Sequence, residues 1–341
     1  VPAPRDLAWD LAMSCVTLFE AHSLFDDWRA THEKALAAAR RAGDSRGEAA
    51  MRYGLGSLAL YRQDYASAAE LLGGACDLFG TLGEEHGRAL ALRNLALLHR
   101  TTGRLDLAYA HYEEARALLV RHGDRAVEAH VLIGLAQIHL DQGQFPLAEE
   151  LLAESLRTFR EIGNRRGRAQ VLFRIGEACL RQKKAEDAQH AFEDALPLVR
   201  RLGDLVGEAY LLRGLGQAQS AQGLHDEAEL SMTAALRLAQ RVGEQFAEAS
   251  ASLGLGSLYE STGELAKAEP QLTRAIELFA AMGNAPWQAR AINVLALTRQ
   301  KQGDLAAARE LWEQALAQLP GSNLLEREEI TAHLTVLPPS V

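Results

Sequence analysis

Residues 203–243 read GDLVGEAYLLRGLGQAQSAQGLHDEAELSMTAALRLAQRVG. The stretch opens and closes on a glycine, and Gly223 stands midway. Between Gly203 and Gly223 the apolar residues Ala209, Leu212 and Leu215 recur at three-residue spacing along one face, the mark of an amphipathic helix. Glycine supplies the left-handed position just past a helix C-terminus, so each glycine is read as a stop. Two helices with short turns account for the whole segment. No window alternates with period two, so no strands are expected.

Outward from this segment the pattern repeats every 40 residues, and internal repetition decides architecture before anything else. Gly43, Gly83, Gly123, Gly163, Gly203, Gly243 and Gly283 keep the period without a slip. So do Ala68, Ala108, Ala148, Ala188, Ala228, Ala268 and Ala308. Small residues also recur at Gly56, Ala96, Ala136, Gly176, Gly216, Gly256 and Ala296. The second turn glycine recurs at Gly103, Gly143, Gly223, Gly263 and Gly303, while Gln63 and Lys183 depart from it. Helix A of each copy is predicted near 47–61, 87–101 and so on to 287–301, and helix B near 65–81 to 305–319. Pro146 and Pro286 fall in first turns, where proline is tolerated. Pro197 falls inside a helix B and is expected to bend it. Where the two helices cross, Gly or Ala lets the backbones approach. Leu72, Tyr112, Phe192 and Trp312 then fill the space between pairs. One pair cannot bury its faces, but a stack can.

The columns resemble the tetratricopeptide repeat: Leu255-Gly256, Tyr259, Ala268 and Ala275 stand at that family's spacing. The 40-residue form, with Gly203-Asp204 opening a Glu208-Ala209 helix, is similar to two groups of arrays. One is found in polarity scaffolds of the Pins/LGN type. The other forms the C-terminal part of bacterial multidomain regulators, including Streptomyces antibiotic regulatory proteins and signal-transduction ATPases. The resemblance implies an all-α, right-handed solenoid of about eight repeats over residues 1–322. The repeats are expected near 5–41, 45–81, 85–121, 125–161, 165–201, 205–241, 245–281 and 285–319, with a capping helix and tail at 323–341. The first copy is degenerate: Trp9 and Trp28 replace alanines, and Ser23 replaces the turn glycine.

Composition narrows the function classes. The 341 residues are 48% hydrophobic and 24% charged, as in an ordinary globular chain. A net charge of −9 argues against nonspecific nucleic-acid binding, which needs a basic footprint. No apolar run approaches the ~18 residues of a membrane span. Val1 to Trp9 lack the basic and apolar regions of a signal peptide, and the chain begins with Val rather than Met, as a fragment or processed form does. Cys15, Cys76 and Cys179 match no metal or redox spacing and are read as reduced small hydrophobes. A cytoplasmic location is expected.

Motifs for chemistry are missing. Gly54-Leu55-Gly56, Gly214-Leu215-Gly216 and Gly254-Leu255-Gly256 are mid-helix columns, not phosphate loops, since no strand precedes them. There is no Walker sequence and no His-Glu-x-x-His. His99 and His139 occupy a column where the family places Tyr and are read as packing residues. Glu84-Glu85-His86 is read as a solvated turn. The chain is therefore expected not to be an enzyme, and to need neither cofactor nor metal.

In the family, helix A lines the concave side of the solenoid. The corresponding stripe holds Tyr53, Leu60, Leu90, Arg93, Asn94, Leu97 and Arg100 in the first regular copies. It continues through His130, Ile133, Gln137, Leu140, Phe173, Arg174, Glu177 and Leu180, then Tyr210, Arg213, Gln217, Arg290 and Asn293. These positions vary between copies while core columns repeat. Apolar residues with interspersed arginines are the usual make-up of binding hot spots. For the apolar members both an open groove and an inter-repeat seam fit. Arg93, Arg174 and Arg213 are read as groove residues, since a seam does not favour guanidinium. Asn94 and Arg174 match columns of the family's carboxylate clamp, but Tyr53, Ser57, His130 and Gly134 do not, so a chaperone-tail clamp is not expected. The expected partner is a protein or peptide segment, amphipathic with acidic residues, or another domain of the same polypeptide, with no direct nucleic acid or membrane contact. The leading expectation is the regulatory or sensor part of a bacterial transcriptional or signalling regulator. A free-standing scaffold and a sensor of a small peptide or metabolite are the alternatives.

Overall fold

The computed structural model describes residues 7–21, 24–319 and 324–336, and all its regular elements among them are α-helices. The chain divides after Gly163 into two compact units, 1–163 and 164–341. Unit one holds α1 (Leu7–Ser14), α2 (Val16–Ala21), α3 (Phe25–Ala42), α4 (Ser45–Tyr61), α5 (Tyr65–Thr81), α6 (Glu85–Thr101), α7 (Leu105–His122), α8 (Arg125–Asp141) and α9 (Phe145–Glu161). Unit two holds α10 (Arg165–Arg181), α11 (Ala185–Leu202), α12 (Leu205–Ala221), α13 (His225–Val242), α14 (Gln245–Thr262), α15 (Leu265–Ala281), α16 (Ala285–Lys301), α17 (Leu305–Gln318) and α18 (Leu324–Val336). From α4 onward the helices follow the expected A and B positions closely.

The turns explain the unbroken register. Gly43 and the equivalent glycines through Gly283 adopt φ of 65–79° and end each helix B. At six of these seven turns the next residue caps helix A: Asp44 accepts from the Gly47 N–H at 2.9 Å, and Asp204 from the Gly207 N–H at 2.8 Å. Two residues thus stop one helix and start the next. The other turn column is left-handed too. Gln63 and Lys183 keep φ of 60° there without being glycine.

Core packing follows one rule within each unit. A large helix-B side chain enters between its own helix A and the next. The Phe192 ring lies where a Cβ on Gly176 would come within 2.5 Å, and where one on Gly214 would come within 2.7 Å. Met232 likewise faces Gly216 and Gly254. The following helix A compensates for the size of this residue. His32, Tyr112, Phe192 and Met232 each meet a glycine 22 positions on, at Gly54, Gly134, Gly214 and Gly254. The smaller Leu72 and Leu272 stand 22 positions before Asn94 and Val294 instead.

The first copy departs from the pattern. Its helix A is broken at Cys15 into α1 and α2, while α3 is regular. Trp28 is buried in the alanine column, and Ser23 lies outside the described residues. Helix α11 runs unbroken through Pro197, which is exposed, as α15 does through Pro270. At the far end of unit two, Ile330 and Leu334 of α18 pack on the cluster around Trp312.

Candidate functional site

The A helices carry the predicted stripe, and the structure sorts its members. In unit one, Tyr53, Leu90, Arg93, Arg100, His130 and Ile133 are half-buried, and Leu97 is the most open. Asn94 is sealed: its amide donates to Ser57 Oγ at 2.8 Å across α4 and α6, and Arg93 donates to its carbonyl oxygen. Gln137 and Leu140 are also buried. Arg100 spends its charge on Asp141 of α8 at 3.0 Å. His130 is held by the Ala126 carbonyl at 2.8 Å and meets the Phe159 ring edge-on. Much of this face is therefore joined helix to helix.

One reading of the turns changes. The Glu84-Glu85-His86 run is not simply solvated. Glu84 pairs with Arg46, Glu85 with Arg121, and His86 Nε2 with Asp124 at 2.9 Å. His99 stacks on His111, and burial lowers the pKa of both rings.

Unit two carries a different surface. Phe173, Tyr210, Phe246 and Trp287 stand on four successive A helices with centroid separations of 6.4, 6.3 and 5.2 Å. All four are half-buried. Phe246 and Trp287 were outside the stripe read from sequence. A signal existed for Trp287, which occupies a column holding Gly47, Gly87, Gly167 and Gly207 elsewhere. Arg290 is exposed and lies over the Trp287 ring at 5.0 Å.

Beside the aromatic row lies a charged cluster. Arg174 stacks on Phe173 and donates to Glu177 at 2.7 Å. Arg213 is only 8% exposed. It donates to Gln217 at 3.0 Å, while its Nε meets no acceptor on the protein. Burial pulls its guanidinium below the usual arginine range, and the Glu177 carboxylate acts against that shift. Glu177 is shared with Arg174, so two guanidinium groups face one carboxylate. A buried cation without full compensation is costly. Asn293, by contrast, is a joint: it accepts from Trp312 Nε1 at 2.8 Å and donates to Glu329 of α18 at 3.1 Å.

Among the described residues no group of three or more His, Cys, Asp or Glu side chains could hold a metal ion. No helix among them is long and apolar enough to cross a membrane.

The family model described as tetratricopeptide repeat matches residues 87–161, 167–241 and 247–320. No curated protein matches the sequence. Solved structures share the fold. The Rap conjugation gene regulator of plasmid pLS20, in complex with the Phr* peptide, has a TM-score of 0.67 at 12% identity, over 100% of both chains. NprR in complex with its cognate peptide NprX has a TM-score of 0.65 at 14% identity, over 99% of this chain and 95% of that one. A signal transduction ATPase with a tetratricopeptide repeat sensor, from Pyrococcus horikoshii, has a TM-score of 0.66 at 14% identity. This chain covers 53% of that ATPase, and 96% of this chain is matched. At such identities the likeness is one of fold.

Proposed function

Because the chain belongs to the tetratricopeptide repeat family, a protein-interaction fold, we propose that it binds a peptide or protein segment along the A-helix face of residues 165–301. The segment is amphipathic. Its apolar side chains lie against Phe173, Tyr210, Phe246 and Trp287, and a carboxylate pairs with Arg213 and Arg174. The observation that carries this reading is the buried Arg213, with a free Nε and only a shared carboxylate beside it. The full positive charge is worth burying if an anion arrives to meet it. The net charge of −9 repels acidic partners at long range, but that repulsion is screened beyond about 8 Å at physiological salt.

The role follows from that binding. The chain acts as the sensor part of a bacterial transcriptional or signalling regulator, and its ligand is a short peptide. Support comes from the fold-level likeness to NprR and a Rap regulator, both solved with peptides, and to an ATPase carrying a sensor of this kind. A display selection of random peptides on the full chain tests the proposal, with Arg213→Met as counter-selection. Sequences with a carboxylate beside aromatic or branched residues should be enriched and lost on the variant. Enrichment of basic sequences, or equal recovery on both proteins, overturns it.

A further inference from the structure

The degenerate first copy creates a concavity in unit one. Its position equivalent to Ala49, Ala89 and Ala129, each 0% exposed, is Trp9. The indole lies against Gly47, where a Cβ would come within 2.5 Å of Trp9 Cδ1. The glycine admits a ring where other copies pack a methyl group. The helices around that ring leave a cavity of about 350 Å³. Trp9, Tyr53 and Phe79 give it aromatic walls, and Met13 and Leu90 complete the apolar surface.

The charged side chains at this cavity are already paired and His122 stacks on His86, while the buried Trp9 Nε1 has no hydrogen-bond partner. Arg46 and Glu84 pair at 3.2 Å, and His86 bonds Asp124 at 2.9 Å. No unpaired charge is offered to an ionic ligand. Glu84 is also unusual among its equivalents. Asp44, Asp124, Asn164, Asp204, Glu244 and Asn284 each cap helix A, whereas Glu84 makes no side-chain cap bond. Its carboxylate has turned to Arg46. The N–H that it would otherwise hold belongs to Gly87, which lines the cavity.

We infer that this cavity is a binding site for one uncharged aromatic side chain of a peptide or protein segment. The ring enters among Trp9, Tyr53 and Phe79, and the adjoining peptide carbonyl accepts from the Gly87 N–H. The size fits one such residue with its flanking peptide group. Aromatic walls favour an aromatic occupant over an aliphatic one by offset and edge contacts. The site lies wholly within unit one and does not rest on the function proposed for residues 165–301.

The test uses the full chain and three probes: N-acetyl-L-phenylalanine amide, N-acetyl-L-leucine amide and N-acetyl-L-phenylalanine. Proton–nitrogen spectra follow the Trp9 indole and Gly87 amide signals. The phenylalanine amide should shift both saturably, and bind more tightly than the leucine amide by roughly fivefold. Leu90→Trp should fill the space and abolish the shifts, with the remaining signals intact. Ala50→Leu serves the same end if that variant does not fold. The inference fails if neither signal shifts saturably, if leucine amide binds as well, or if both filled variants still respond. Tighter binding of the charged probe also overturns it, since a free aromatic acid is then the ligand.

Discussion

Phe192 on α11 fills the space that a side chain at position 214 on α12 would need, since a Cβ there would lie 2.7 Å from Phe192 Cζ. The same relation holds for Tyr112 with Gly134 and for His32 with Gly54. Each bulky helix-B residue thus dictates what the following helix A can carry. The pair Leu272 and Val294 shows the opposite balance, with a residue smaller than Phe192 on helix B and a side chain in place of the glycine on helix A.

Exchange of that balance is measurable. Gly214→Val overpacks the crossing and should cost about 1–3 kcal/mol. Phe192→Leu should cost about 1–2 kcal/mol through the space it leaves. The double variant recreates the Leu272 and Val294 combination and should be at least ~1 kcal/mol more stable than the sum of the two costs implies. Urea titrations of the four proteins give the coupling, and strict additivity would show that the two residues are not linked.

A second expectation concerns the turns. Gln63 and Lys183 hold φ of 60°, a region that costs a non-glycine residue roughly 1–2 kcal/mol. Glycine relieves this but returns up to ~1 kcal/mol through a more flexible unfolded chain. Gln63→Gly and Lys183→Gly should each stabilise the protein by about 0.5–1 kcal/mol. Hydrogen exchange near residues 180–185 should slow in Lys183→Gly. A lower urea midpoint for both variants contradicts the argument.

These two features also show how far the sequence could be read. The register, the helix boundaries and the crossing glycines follow from columns that local physics fixes: a left-handed turn, a cap, a close approach. Helix A expected at 87–101 is found at Glu85–Thr101. The binding face is less legible, because burial there depends on neighbours from other copies. Asn94 is sealed by Ser57, 37 positions away. Asn293 is sealed by Trp312 and by Glu329 of α18, which stands outside the repeat register. No single column reports such a partner.

Acid sensitivity follows from His32. The ring is fully buried, its Nδ1 bonds the Trp28 carbonyl at 3.1 Å, and its Nε2 has no partner. Burial pulls its pKa down from 6.5 to about 4. Between those values the unfolded chain binds a proton that the folded chain refuses, so stability rises with pH. The contribution is complete above about pH 6.5 and is lost as pH falls toward 4, by up to about 3 kcal/mol. His32→Met copies the pairing of Met232 with Gly254 and should flatten this limb. Parallel melts at pH 7 and pH 4.5 check it. An unchanged difference in the variant would place the acid sensitivity elsewhere.

Arg213 separates stability from function. Its side chain is buried, its Nε is unpaired, and its neighbouring carboxylate is shared with Arg174. Glu177 keeps Arg174 as its partner, so removing Arg213 strands no carboxylate, and an apolar side chain of similar length avoids the cost of a buried, under-compensated cation. Arg213→Met should therefore raise the melting temperature while weakening a carboxylate-bearing peptide. Arg174→Glu together with Arg213→Glu should weaken that peptide further. The double variant loses two cations and adds two acids beside Glu177, so its stability is measured alongside. The control is Arg100→Met, which removes a surface pair with Asp141 in the other unit and should leave peptide affinity unchanged. If Arg213→Met lowers the melting temperature and binds the peptide as tightly as the parent, the guanidinium is a structural element and the anion seat is elsewhere.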